Sequence, residues 1–163
     1  MTQDSTRTDT ATRWLDNRQQ VSWRAFVTGA TLLFDQLDRD LRLQFGISLP
    51  EYEVLVRLSE APDRQLRMAE LASSLSHSRS RVTHTVARLE KAGAVSRATT
   101  PTDGRGVVAK LTDAGWELLT SAAPVHVNGV RDYLVDLADG DDFTAVGRVF
   151  DATAKHLSGV SPG

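Results

Sequence analysis

The sequence contains no cysteine, which excludes a disulfide scaffold, thiolate zinc or iron–sulfur ligation, a cysteine nucleophile and a thiol-based peroxide sensor. Aromatic residues are scarce, at 6% of the chain. No stretch approaches the roughly 20 apolar residues that a membrane span needs, and the polar N-terminal residues lack the apolar middle of a signal peptide. The expected location is the cytoplasm, with no membrane partner. Neither sign of charge is in excess, since 19 Lys+Arg face 21 Asp+Glu for a formal net charge of -2. What remains is ordinary for a folded protein: 163 residues, 40% hydrophobic and 25% charged, one domain's worth of chain that can bury a core.

The small net charge conceals a segregation. Residues 1–63 carry -3, residues 64–110 carry +6 and residues 111–163 carry -5. A basic centre between acidic ends is expected where one compact element meets a polyanion. A run of solvated arginines would give the same count.

Residues 1–12, rich in Thr, Asp and Ser, read as a frayed terminus. From Trp23 a helical period passes through Phe26, Ala30, Leu33, Leu37 and Leu41 to a C-terminal cap at Gly46, a length of about six turns. Pro50 suits the first turn of a second helix, with Tyr52, Leu55, Val56 and Leu58 as its apolar positions and Ala61-Pro62-Asp63 as its break. Residues 68–75 make a short third helix. Ser78 caps a fourth, in which Val82, Val86 and Leu89 form a narrow buried stripe, and Gly93 ends it. Opposite the stripe lie Ser80, His84, Ala87 and Lys91, flanked by Arg81 and Arg88, so the outward face is cationic or hydrogen-bonding.

After Gly93 the period changes to alternation. Ala94–Ala98 and Val107–Leu111 read as two strands around a turn over Thr99–Gly106, with Arg105 at its tip. Thr112 caps a fifth helix that can be followed through Trp116, Leu119, Ala123, Val127, Val130, Leu134 and Leu137. The Asp139-Gly140-Asp141-Asp142 segment breaks it; the run lacks the spacing and terminal Glu of a calcium loop. Phe143, Val146, Val149, Phe150 and Leu157 mark a sixth helix, and no internal repeat is visible.

The expected fold is therefore mainly α with a small β-hairpin. Residues 47–112 form a winged helix-turn-helix lobe, with Ser76-His77-Ser78 as its tight turn. Residues 1–46, a flexible N-terminus and long helix, join the helices of 113–163 in an α-helical dimerisation region, because these ends carry more apolar surface than the lobe can cover. A helix entering the major groove needs one apolar side to anchor it and one side able to meet base edges and phosphates. An arginine between two glycines at a hairpin tip, Gly104-Arg105-Gly106, suits a narrow minor groove.

Four segments in order resemble the successive motifs of MarR-type transcriptional regulators. They are Val82-Thr83-His84, Arg88-Leu89-Glu90-Lys91-Ala92-Gly93, Asp103-Gly104-Arg105 and Leu111-Thr112-Asp113-Ala114-Gly115. The resemblance covers about residues 14–158, and its strength lies in the order and spacing of motifs that are individually weak. It implies a homodimer that binds a pseudo-palindromic double-stranded DNA operator, most often as a repressor, released by a small, often aromatic, effector. It implies that Arg105 enters the minor groove while Asp103 holds the wing in place. His84 stands where the family commonly has Arg, which would make that contact pH dependent.

The candidate DNA-binding residues are then Ser78, Arg79, Ser80, Arg81, Thr83, His84, Arg88 and Lys91 on the fourth helix, and Arg97, Asp103 and Arg105 on the wing. Trp23, Phe26 and Tyr52 are candidates for an effector cleft, although aromatics at helical spacing also serve as core. A winged-helix interaction module without DNA binding is the alternative, and it predicts acidic or apolar residues where Ser80, Arg81, His84 and Arg88 stand. An enzyme is not expected, because there is no Gly-rich phosphate loop and no nucleophile motif. Nor is a cofactor or metal expected: His126 and His156 are isolated, and His77 sits at the turn, where packing or capping suits it better than ligation.

Overall fold

The computed structural model of the chain describes residues 12–99 and 106–159. Most of the terminus read as frayed and most of the hairpin turn, including Asp103 and Arg105, lie outside the described residues. The chain divides into two compact units, the first ending at Leu32 and the second beginning at Leu33. The order of elements is α1 (Asn17–Phe45), α2 (Leu49–Glu60), β1 (Gln65–Arg67), α3 (Met68–Ser74), α4 (Arg79–Lys91), β2 (Val95–Thr99), β3 (Val107–Leu111), α5 (Asp113–Tyr133) and α6 (Asp142–Leu157). No described helix is long and apolar enough to cross a membrane.

The first unit is described from Thr12 and carries the N-terminal part of α1. This helix begins six residues before the Trp23 start that its apolar period suggested. A reciprocal cap explains the difference: the Gln19 backbone N–H donates to the Asp16 carboxylate at 2.8 Å and the Asp16 N–H donates to Gln19 Oε1 at 3.0 Å. Polar residues thus start a helix that an apolar period could not register.

The second unit holds the core. Leu37 and Leu41 of α1, Val54, Leu55 and Leu58 of α2, Leu71 of α3, the Val82-Val86-Leu89 stripe of α4, Ala109 and Leu111 of β3 and Leu119 and Ala122 of α5 form one buried cluster. Gly46, at φ +69°, ends α1. Asp38 then accepts the Leu49 N–H at 2.8 Å, joining the end of α1 to the start of α2.

The wing is a three-stranded antiparallel sheet in the order β1-β3-β2, not a lone hairpin. Leu66 of β1 and Arg97 of β2 both pair with Ala109 of β3. The extra strand is three residues long, too short to display an alternating period. A second difference lies in α5, which stops at Tyr133 and passes through Leu134 (φ -140°, ψ -60°) into a 3-10 turn over Val135–Leu137. The apolar line through Leu134 and Leu137 crosses this change of backbone, and Arg131 pairs with Asp136 across it at 2.7 Å.

The junction of wing and α5 explains the Leu-Thr-Asp-Ala-Gly segment. Thr112 Oγ1 donates to the Gly93 carbonyl at 2.7 Å and accepts the Gly115 N–H at 3.0 Å, while the Thr112 N–H donates to the Ala94 carbonyl at 3.1 Å. Gly115 is needed for its lack of a side chain, because a Cβ there would collide with the Ala94 carbonyl oxygen. Gly129 is tight too, but the nearest atom to an added Cβ is the movable Leu37 Cδ2, 2.9 Å away. Gly115→Ala should therefore destabilise the protein by about 3 kcal/mol, the upper end for overpacking, and lower the melting temperature by roughly 6–12 °C. Gly129→Ala should cost less. Equal melting temperatures for the two variants would contradict this ordering.

Candidate nucleic-acid interface

Helix α3, a turn and α4 form the helix-turn-helix. The turn closes through the His77 N–H, which donates to the Ala72 carbonyl at 3.1 Å, and it holds Ser76 at φ +53°. Ser78 caps α4 by accepting the Arg81 N–H at 3.3 Å. Val82, Val86 and Leu89 are each at most 1% exposed, so one side of α4 is fully committed to the core. Ser78, Arg79, Ser80, Arg81, Thr83, His84, Arg88 and Lys91 are all exposed, Ser80, His84 and Lys91 directly opposite the stripe. The helix therefore presents a basic, hydrogen-bonding face outward, supported entirely from behind.

Two of the candidate arginines have partners that the sequence did not indicate. Arg97 of β2 donates through its backbone N–H and its guanidinium to the Glu90 carboxylate, the Nε contact being 2.9 Å, and ties the wing to α4. This bidentate contact holds the Glu90 carboxyl below its usual range. Arg88 reaches the buried Glu51 of α2, with Nε 3.0 Å from Oε1. Ser48-x-x-Glu51 is legible as a capping box, but nothing in that spacing points to α4. Thr83 is also engaged, its hydroxyl donating to the Arg79 carbonyl at 2.8 Å.

Arg79 and Arg97 line a cleft of about 440 Å³ between α3, α4 and the base of the wing, together with Arg67, Thr83 and Gly106. Arg67, missed in the sequence because it precedes a short helix, adds a third guanidinium there. The cleft thus gathers three guanidinium groups, of which that of Arg97 is already paired with Glu90.

The effector candidates do not fall in one unit. Trp23 and Phe26, in the first, are 56% and 40% exposed, with ring centroids 5.6 Å apart. Tyr52, in the second, is buried, its ring centroid 4.5 Å from that of His126 on α5. Tyr52 and His126 line a cleft of about 450 Å³ with Arg57, Ser76 and His77. Burial pushes the Tyr52 phenol above its ordinary pKa and the His126 imidazole below its own. The buried Nδ1 of His126 has no hydrogen-bond partner among the described residues.

Comparison with known proteins follows the same lines. A family model described as the MarR family matches residues 45–106. The solved structure of Sco3205, a MarR family transcriptional regulator from Streptomyces coelicolor in complex with DNA, is 41% identical, with 95% of each chain covered and a TM-score of 0.87. AbsC, a MarR family transcriptional regulator from the same organism, is 38% identical over 91% of this chain and 99% of its own, with a TM-score of 0.85. CouR from Rhodococcus jostii RHA1, solved bound to p-coumaroyl-CoA, is 20% identical over 90% of this chain and 96% of its own; its TM-score of 0.70 is a likeness of fold. No curated protein sequence matches.

The depressed pKa of His126 has a consequence for stability. Above its ordinary value of 6.5 the imidazole is neutral both folded and unfolded; below it the unfolded chain takes up a proton that the folded chain resists. Stability is therefore lost as pH falls from 6.5 towards the lower folded value. His126→Phe should flatten the fall in melting temperature between about pH 7.5 and about pH 5.5. An undiminished fall in that variant would assign the dependence elsewhere.

Proposed function

The chain belongs to the MarR family of transcriptional regulators, and on that premise we propose that it is a homodimeric DNA-binding repressor released by a small effector. Each protomer contributes a DNA-binding lobe over residues 47–112, and the two lobes meet the half-sites of a pseudo-palindromic double-stranded operator in the cytoplasm. No catalysis, cofactor or metal is involved. The observation that carries the reading is α4 itself: one face fully buried, the other exposed and basic from Ser78 to Lys91. That division is what a helix seated in the major groove requires. It is also contrary to an interaction module, which would need an apolar or acidic face there. Sco3205, at 41% identity, was solved in complex with DNA, and that supports the same assignment here.

The dimer rests on the helices at the chain's ends. None of the 16 residues of α6 is buried, although Phe143, Val146, Val149, Phe150 and Leu157 are among them. An amphipathic helix with its apolar face uncovered needs a partner surface, and residues 1–46 and 113–163 are assigned to a dimerisation region on that ground. For the effector, a small aromatic molecule suits the Tyr52–His126 cleft, where Val56 and Leu75 supply apolar lining beside the two rings and Glu53 and Arg57 supply polar groups. Trp23 and Phe26, in the first unit, are kept as effector candidates from the sequence alone.

Two outcomes test the proposal. Light scattering at micromolar concentration should give a dimer for the wild type and a monomer for Val149→Asp, which would place an unpaired charge in the interface at a cost of several kcal/mol. A folded wild-type monomer would remove the dimer. On DNA, Arg105→Ala should weaken operator binding and lower the salt slope by about one per protomer without altering the melting temperature. Arg81→Ala should instead relax discrimination at particular bases by roughly 1–3 kcal/mol. Wild-type affinity in both variants at physiological salt would overturn the DNA-binding assignment.

A further inference from the structure

Glu51 is the one buried charged side chain among the described residues, at 5% exposure. A carboxylate removed from water destabilises a fold unless both its oxygens are met. Oε2 accepts from the Ser48 backbone N–H and from the Ser48 hydroxyl, each at 2.7 Å. These contacts complete the cap of α2 and would serve an isolated helix equally well. Oε1 is met from a different element, by Nε of Arg88 at 3.0 Å. Capping alone does not call for that contact.

The position of Arg88 on α4 gives the contact its use. Val82, Val86 and Leu89 form a stripe about 60° wide, and Arg88 projects about 120° to one side of it on a wheel of 100° per residue. Glu90, which holds Arg97 of the wing, projects about 80° to the other side. A helix seated on so narrow a stripe is free to roll about its own axis unless something off the stripe resists. The Glu51–Arg88 and Glu90–Arg97 pairs stand on opposite flanks. The Glu51–Arg88 pair joins a carboxylate side chain 6% exposed to an arginine side chain 62% exposed, and the Glu90–Arg97 pair is 35% and 32% exposed, so both flanks resist the roll and Glu51 supplies the resistance on the flank of Arg88. Arg81 lies on the same flank as Arg88, two turns earlier, and so turns with it.

We propose that Glu51 is a positioning residue for DNA recognition: through Arg88 it fixes the roll of α4 and thereby the direction in which Arg81 and His84 meet base edges. This rests on the assignment of α4 as the DNA-reading helix. Glu51 itself touches no DNA. Arg88, with 62% of its side chain exposed, keeps donors for a phosphate while its Nε is held.

The test compares wild type, Glu51→Gln, Arg88→Gln and the double variant on two probes. One is a duplex that the wild-type protein selects from a randomised pool, and the other is the unselected pool. Glu51→Gln retains an acceptor for the Ser48 N–H while removing the charge that holds Arg88. It should lower the ratio of affinities for selected over unselected DNA by roughly tenfold, while affinity for the unselected pool stays within about twofold of wild type. The double variant should lose no more of that ratio than the worse single variant, because the same pair is already broken. Should Glu51→Gln fail to fold, Arg88→Gln carries the comparison from the exposed side: it should lower the ratio by a similar factor, and a folded Arg88→Gln protein with the wild-type ratio overturns the inference. A folded Glu51→Gln protein with the wild-type ratio overturns the inference, and so do losses that add in the double variant. A wild type that selects no sequence from the pool sinks the DNA-reading assignment instead, and this inference with it.

Discussion

A helix that is to be read from one side can be held only from the other, and α4 has three side chains with which to be held. Val82, Val86 and Leu89 are each at most 1% exposed and belong to the one buried cluster that also holds residues of α2, α3 and β3. Burying such a side chain is worth about 1.5–3 kcal/mol, so the stripe supplies adhesion. It supplies little orientation, because a narrow apolar stripe has no directional preference about its axis. Direction comes from polar contacts off the stripe: the Ser78 cap at the start, Arg88 with Glu51 on one flank and Glu90 with Arg97 on the other.

The same division of labour appears where the lobe joins α5. Thr112 satisfies the Gly93 and Ala94 carbonyls that the end of α4 leaves over, and Gly115 lets the first turn of α5 lie directly against Ala94. The end of α4, the start of β2, the end of β3 and the start of α5 are thereby fixed within one set of backbone contacts. A shift of α5, the helix that carries His126 beside Tyr52, has a short mechanical path to the base of the wing and to α4. On the proposed function, that path is where effector binding and DNA binding would be coupled, by about 1–3 kcal/mol in systems of this kind.

Much of this was legible in the sequence wherever a period or a cap speaks locally. The α4 stripe, its Ser78 cap, the Gly46 and Gly93 stops and the Thr112 cap all follow from spacing and side-chain chemistry, and the structure has them where they were read. The differences arise where the signal is too short or is carried by polar atoms. Gln65–Arg67 is a strand only because β3 offers it an edge, and three residues carry no period. Asp16 and Gln19 start α1 through polar contacts that the apolar period from Trp23 does not register. Beyond Tyr133 the apolar line continues in the sequence while the backbone departs from the helix, since periodicity reports which residues are apolar and not whether one axis serves them all. In the candidate site, the exposed residues of α4 could be chosen from the wheel. The partners of Arg88 and Arg97 could not, because Glu51 is brought to α4 by the tertiary packing of α2, and Glu90 reads on its own as one more solvated helix charge.

The central claim is that α4 and the wing form the DNA-reading surface. Hydrogen exchange of the full chain, followed by mass spectrometry with and without a duplex selected by the protein from a randomised pool, tests it most directly. The account predicts slower exchange on DNA addition in peptides spanning 78–91 and the wing from 97 to 107, with exchange in the second half of α6 unchanged. Protection confined to α5 and α6, with 78–91 and the wing exchanging as in the free protein, would contradict it.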